Sequence, residues 1–242
     1  MKKMVLPGLL SLGLLVAGCD DNDLFPDRVT GSGPTITDTR SAADFSRVQL
    51  SAEATVYLTQ GPAQHIRVEA QRNILDALET TVRDRELRIG FGRTRVRRHE
   101  AIRIYVTTPN LTSVAVSGAG QVVGQGPWQV QDLDLNVSGS GGIDLRLPSA
   151  RDLRTRVSGS GAVRLAGTAR DQQVHVSGSG QVDGFDLSQQ TADADISGSG
   201  AVRLTVVQAL RAAISGSGTM YYRGRPAITQ RISGSGRVVD AN

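Results

Sequence analysis

The stretch VSGSGAVRLAG, residues 157–167, decides the fold. Ser-Gly-Ser-Gly is the composition of a flexible linker, but the flanking Val157, Val163 and Leu165 are residues of a packed core. The motif, once in the form Ser-Gly-Ala-Gly, recurs at intervals of 18 to 21 residues, with its first serine at Ser117, Ser138, Ser158, Ser177, Ser197, Ser215 and Ser233. A linker does not recur on a fixed period. The period therefore predicts a solenoid, in which each repeat packs on its neighbours.

Aligning the repeats shows which side chains stack. The residue before the motif and the residue five positions after its first serine are Val or Ile at thirteen of fourteen positions. These β-branched residues favour strands, in which successive side chains point to opposite faces. Unbroken alternation places Gly159 and Gly161 inward with Val157 and Val163, and the serines outward. We expect an all-β fold, a parallel β-helix or β-solenoid with coils of about 18–21 residues.

The segment before the repeats also reads as β structure, but less regularly. RVQLSAEATVYL (47–58) alternates apolar and polar residues, and TVRDRELRIGF (81–91) indicates a hairpin that turns near Asp84 and Arg85. Residues 73–80, NILDALET, give the one weak helical signal. We expect a single domain over residues 44–242, with an irregular β part at 44–116 and seven SGSG coils at 117–242.

The start of the chain predicts its compartment. Two lysines and a short apolar run end in LVAGC, residues 15–19, which resembles a bacterial lipobox. We expect residues 1–18 to be a lipoprotein signal peptide and Cys19, the only cysteine, to be lipidated; a plain signal peptide or a buried apolar helix is the alternative. Residues 19–43 then form a flexible tether. The expected location is the bacterial cell envelope, facing the periplasm or on the outer membrane.

Charge and composition narrow the function classes. Removing Lys2 and Lys3 with the signal peptide leaves 25 basic and 23 acidic residues, a net charge of +2. This balance does not indicate nucleic-acid binding. No motif for a cofactor or a metal is present, so we expect none. The expected partners are the membrane, through the lipid anchor, and a glycan or an envelope protein.

Three residues form the best candidate for chemistry. Arg156, His175 and Asp195 lie two positions before three successive motifs and therefore stack on one outward row. His175 beside Asp195 could act as a general base. The competing interpretation, which we favour, is a surface ladder of alternating charges in which exposed pairs stabilise weakly. Under either interpretation the row is a candidate ligand-facing surface.

Two further sets of residues each allow two interpretations. Asp132, Asp152 and Asp171 also stack and could hold a divalent cation, although Asx turns that open each coil are the more common explanation. RTRVRRH (93–99) is the densest positive stretch. Its Arg95, Arg97 and Arg98 could contact an anionic lipid or glycan, or belong to a solvated loop.

The order of these features resembles a known family. FSRVQLSAEATVYLTQGPAQHIRVEAQRNILDALETTVRDRELRIGF (45–91), then IRIYVTTPNLTSVAVSGAG (102–120) and the SGSG coils, is similar to the head GIN domain of "putative autotransporter adhesins", a bacterial domain of unknown function. The resemblance covers about residues 44–242. It implies a right-handed β-helix in the cell envelope and supplies no catalytic motif.

Two function classes follow. The first is a non-enzymatic, membrane-tethered binding, adhesion or scaffold module that presents a β-helical face to a glycan or a protein. The alternative is a carbohydrate-active hydrolase or lyase built on a β-helix, which would need convergent carboxylates or a metal site in a groove.

Overall fold

The structure is a computed structural model that describes residues 28–242. Almost all of its regular structure is β, with one short helix, α1 (Arg72–Ala77). The strands are β1 (Arg28–Thr30), β2 (Thr35–Arg40), β3 (Arg47–Leu50), β4 (Thr55–Gln60), β5 (His65–Gln71), β6 (Glu79–Arg83), β7 (Glu86–Gly90), β8 (Arg95–Arg97), β9 (Arg103–Thr108), β10 (Ser113–Gly118), β11 (Gln121–Pro127), β12 (Asp132–Gly139), β13 (Gly142–Gly159), β14 (Ala162–Gly178), β15 (Gln181–Gly198), β16 (Ala201–Gly216), β17 (Thr219–Arg223), β18 (Ala227–Gly234) and β19 (Arg237–Asp240).

The strands form a solenoid with two parallel stacks that meet at the SGSG corners. The stack before the corners runs β7–β3–β10–β12–β13–β14–β15–β16–β18. The stack after the corners runs β9–β4–β11–β13–β14–β15–β16–β17–β19. The motifs pair in register, with Ser158 opposite both Ser138 and Ser177. The predicted β-solenoid is confirmed.

Two inward ladders of Val and Ile build the core. Before the corners, Val116, Val137, Val157, Val176, Ile196 and Ile214 are each 3% exposed or less. After the corners, the equivalent residues from Val122 to Met220 are buried to the same degree. Each buried side chain of this kind contributes roughly 1.5–3 kcal/mol gross. These ladders therefore drive the stacking of the coils.

The SGSG corner is where one expectation is wrong. Gly161 is buried as predicted, but Gly159 is exposed, with φ of +106°, because the chain leaves the β region there and the alternation breaks. A Cβ on Gly159 would lie 2.7 Å from the carbonyl oxygen of Gly139 in the preceding coil. That oxygen accepts a hydrogen bond from the backbone N–H of Ser160, at 2.9 Å. The motif repeats because each corner supplies the hydrogen-bond acceptors of the next.

In the N-terminal part, the local elements that the sequence predicts are present. β6 and β7 form the predicted antiparallel hairpin, whose turn residues Asp84 and Arg85 have φ of +51° and +60°. The weak helical signal corresponds to α1, which buries Ile74 and Leu75. Antiparallel strands cover this end of the solenoid, since β5 pairs with β9 and β2 pairs with β5.

The predicted tether over residues 19–43 is wrong where the structure describes it. β1 pairs with β8, and β2 pairs with β5 along six residues. Val29 and Ile36 pack against the core, which gives this polar segment enough apolar contact to remain ordered. The predicted signal peptide, Cys19 and the residues up to 27 lie outside the described part. Within residues 28–242 no helix is both long and apolar enough to cross a membrane.

Candidate functional site

The predicted outward row is present. Arg156 on β13 pairs in register with His175 on β14, which pairs with Asp195 on β15. All three side chains are exposed and line a shallow pocket of about 240 Å³ together with Arg154 and Asp193. The parallel register brings the three residues together as the sequence predicts.

The side chains of this row are stacked but are not bonded to one another within residues 28–242. In the described part of the chain, no hydrogen bond or ion pair joins His175 to Arg156 or to Asp195. Charge pairing lies instead one row away, where Arg154 is 3.9 Å from Asp134 and Arg211 is 4.0 Å from Asp193. Exposed pairs of this length contribute about 0–1 kcal/mol each. The row of Arg156, His175 and Asp195 is a ladder of exposed side chains in register, and the weak ion pairs belong to the neighbouring row.

The three stacked aspartates are neither a cation site nor Asx turns. Arg151 is ion-paired with Asp132 and Asp152, and Arg170 is ion-paired with Asp152 and Asp171 at 3.2 and 2.7 Å. The aspartates lie in strands and not in turns. Two guanidinium groups therefore occupy the positions that a cation would need. A hydrogen bond from the Thr191 hydroxyl, at 2.6 Å, and one from Arg170 lower the pKa of Asp171.

The basic stretch at residues 93–99 lies apart from the row of Arg156, His175 and Asp195. Arg95 and Arg97 are on β8, a strand and not a solvated loop, and Arg98 follows it with φ of +27°. β8 pairs with β1 in a separate two-stranded sheet, whose Val29 and Val96 pack against the core while the arginines face outward. None of these arginines lines the pocket of the row.

A larger groove lies beside the loops that precede β10 and β12, at the opposite end of these strands from the SGSG corners. It has a volume of about 750 Å³. Three exposed amide side chains line it, those of Asn110, Gln129 and Gln131, together with Arg85 and Asp132. We call it the amide groove. Within residues 28–242 the three side-chain amides and the Arg85 guanidinium make no hydrogen bond or ion pair, whereas Asp132 is paired with Arg151.

Hydrogen bonds to backbone atoms hold the two loops of the amide groove in place. The Gln60 side-chain amide donates to the carbonyl oxygens of Pro109 and Gln129, at 3.0 and 3.2 Å, and accepts from the Gln129 N–H at 2.8 Å. The Trp128 ring is fully buried next to this loop. The Gln131 carbonyl accepts two N–H groups from the following coil. The groove is preorganised, and its amides are available to a ligand.

This groove was not predicted from the sequence. Asn110 and Gln131 each lie seven residues before the first serine of a motif, but the next two coils have Arg151 and Arg170 at that position, so no row of amides was apparent. The available signal was the interruption of the strand pattern at TTPN (107–110) and PWQVQ (127–131), where amides follow Pro109 and Trp128. Loops that interrupt a regular scaffold are common sites of binding residues.

Comparison with known proteins gives a consistent result. Residues 44–226 match the family model "Putative auto-transporter adhesin, head GIN domain". A putative adhesin from Bacteroides fragilis is 24% identical with a TM-score of 0.83, over 88% of this chain and 99% of that one. A putative lipid-binding protein from Parabacteroides distasonis is 25% identical with a TM-score of 0.76, over 89% and 100%. A putative adhesin from the same organism is 22% identical with a TM-score of 0.73, over 89% and 100%. No match was found among curated proteins.

Proposed function

Because the chain belongs to the head GIN domain family of putative auto-transporter adhesins, we propose that it is a non-enzymatic binding protein of the cell envelope whose amide groove binds a glycan. One observation carries the proposal. Three unengaged amide side chains, Asn110, Gln129 and Gln131, converge on a groove with fixed walls.

The chemistry of the groove suits a hydroxyl-rich ligand. A primary amide offers two donors and one acceptor, so Gln129 and Gln131 can each bond a sugar hydroxyl in either sense. The volume of about 750 Å³ lies in the range of small-molecule sites, roughly 300–1,000 Å³. Arg85 adds one cation, which would favour an acidic sugar over a neutral one.

Two observations favour binding over the alternative of polysaccharide cleavage. Glycoside hydrolases generally use two carboxyl groups about 5–10 Å apart. The one carboxylate that lines the amide groove, Asp132, is ion-paired with Arg151. The similar structures are called putative adhesins and a putative lipid-binding protein, and these names describe binding.

The proposal includes membrane attachment through Cys19. The lipobox-like run at residues 15–19 supports it. β1 begins only nine residues after Cys19, so the two can lie at most about 30–32 Å apart whatever the path of the chain between them. The folded domain would therefore be held close to the membrane that carries the lipid, with the solenoid available to glycans of the envelope.

The test is a glycan-array screen on the mature chain with Cys19→Ser, followed by titration of the best ligand. The double variant Gln129→Ala/Gln131→Ala should weaken binding by about tenfold or more, because each lost hydrogen bond contributes about 0.5–1.5 kcal/mol. Gln208→Ala, which removes an exposed amide from β16, is the matched control and should change affinity by less than about twofold. Equal effects of the two variants, or cleavage of the bound glycan, would contradict the proposal.

A further inference from the structure

Among residues 28–242, nothing covers the apolar surface at the C-terminal end of the solenoid. Every residue of β18 is exposed. Ile228 and Ile232 are 39% and 40% exposed, although their register partners in the preceding coil, Leu210 and Ile214, are 1% and 3% exposed. Both isoleucines thus occupy core positions for which no described residue supplies the next layer.

The outer backbone edge of β18 is also unpaired within residues 28–242. β18 bonds to β16 along one edge, and in residues 28–242 no strand bonds to its other edge. At the opposite end, antiparallel strands continue both parallel stacks, with β6 paired to β7, β5 paired to β9 and β2 paired to β5. An open strand edge with apolar neighbours is a template for pairing with another chain. Solenoids normally need such an end to be covered.

We propose that a second copy of this chain covers the end, with the two β18 strands pairing antiparallel about a two-fold axis at Gln230. The inward residues of β18 read Ile228, Gln230, Ile232, which is symmetric about its centre. In this register Ile228 of each copy lies opposite Ile232 of the other, and the two Gln230 side chains face each other. A closed dimer needs such a self-complementary surface.

Neighbouring registers are worse. A pairing centred on Arg231 would set two Arg231 side chains against each other and place each Ile232 opposite Gln230. A pairing centred on Thr229 would place each Ile228 opposite Gln230. Registers centred on Ile228 or Ile232 pair only one isoleucine of each copy. The register centred on Gln230 pairs both, and it places Thr229 opposite Arg231 on the outward face. The facing Gln230 amides can bond to each other, in the way that a polar core residue fixes register in coiled coils.

The experiment is sedimentation equilibrium of the mature chain with Cys19→Ser over a range of concentrations. We expect a monomer–dimer equilibrium, and Ile232→Lys should abolish the dimer because it places two lysines within the contact. Trp128 fluorescence during urea unfolding confirms that the variant is folded. A monomer at all concentrations, or a dimer that Ile232→Lys leaves intact, would overturn the proposal.

Two variants at one position test the register itself. Thr229→Asp should strengthen the dimer about two- to fivefold, because it faces Arg231 of the other copy, and Thr229→Arg should weaken it by a similar factor. If neither variant changes the dissociation constant, or if both change it in the same direction, the pairing about Gln230 is wrong.

Discussion

Replacing Gly161 by alanine tests the packing of the corner. The new Cβ would lie 2.4 Å from Cγ1 of Val137 and 2.6 Å from the carbonyl oxygen of Gly141. Ordinary contact distances between carbon atoms are about 3.5–4.0 Å, so the overlap is about 1 Å. The carbonyl cannot shift freely, because it accepts the Ala162 N–H at 3.0 Å.

The expected cost follows from these contacts. Overpacking of a core costs about 1–3 kcal/mol. The stiffer unfolded chain of the alanine variant offsets about 0.4–1 kcal/mol of it. A net loss of about 1.3 kcal/mol, from the middle of both ranges, lowers the urea midpoint by roughly 0.6 M if the slope is about 2 kcal/mol/M.

Fluorescence of Trp128, the single tryptophan and a fully buried one, reports the unfolding. Ser160→Ala is the matched control in the same tetrapeptide. The Ser160 side chain is exposed, and the hydrogen bond of Ser160 to the preceding coil uses the backbone. The urea midpoint of Ser160→Ala should therefore move by less than about 0.25 M, which corresponds to about 0.5 kcal/mol. Equal midpoints for the two variants would refute the account of the corner.

Three further predictions concern the core, the aspartate row and the anchor. Val163→Asp places an unpaired carboxylate at a fully buried position and should cost several kcal/mol, measured by the same urea unfolding, whereas Arg164→Ala on the outward face should cost little. Because the folded-state pKa of Asp171 is lowered, this residue contributes stability that is present above its unfolded pKa of about 3.9 and is lost as pH falls through the folded value. An NMR titration should show that the pKa of Asp171 rises in Thr191→Val. An unchanged pKa would exclude the Thr191 hydroxyl as the cause of the lowered value. Membrane fractionation should find the native chain in the membrane and Cys19→Ser outside it; a Cys19→Ser chain that stays with the membrane would exclude a lipid anchor at this residue.

The period of the SGSG motif was sufficient to predict the solenoid, because in-register stacking requires equivalent residues in every coil. The same register placed Arg156, His175 and Asp195 in one row. Strand alternation could not predict the orientation of Gly159, since a residue with positive φ interrupts the alternation.

Other features depend on contacts between distant segments. The ordering of β2 comes from pairing with β5, about thirty residues later, which a polar composition does not reveal. The bridges through Arg151 and Arg170 required knowledge of which residues face the aspartates. The amide groove escaped prediction because the repeat position of Asn110 and Gln131 is arginine in the next two coils. Gln129 and Arg85 lie outside that repeat position and join the groove only in the completed fold.

Glycan binding in the amide groove is tested most directly by a crystal structure of the mature chain with the tightest-binding oligosaccharide from the array. We expect sugar density in the amide groove, with hydroxyl groups within about 3.2 Å of the Asn110, Gln129 or Gln131 side chains. A sugar bound along the row of Arg156, His175 and Asp195 instead, with the amide groove containing only water, would contradict it.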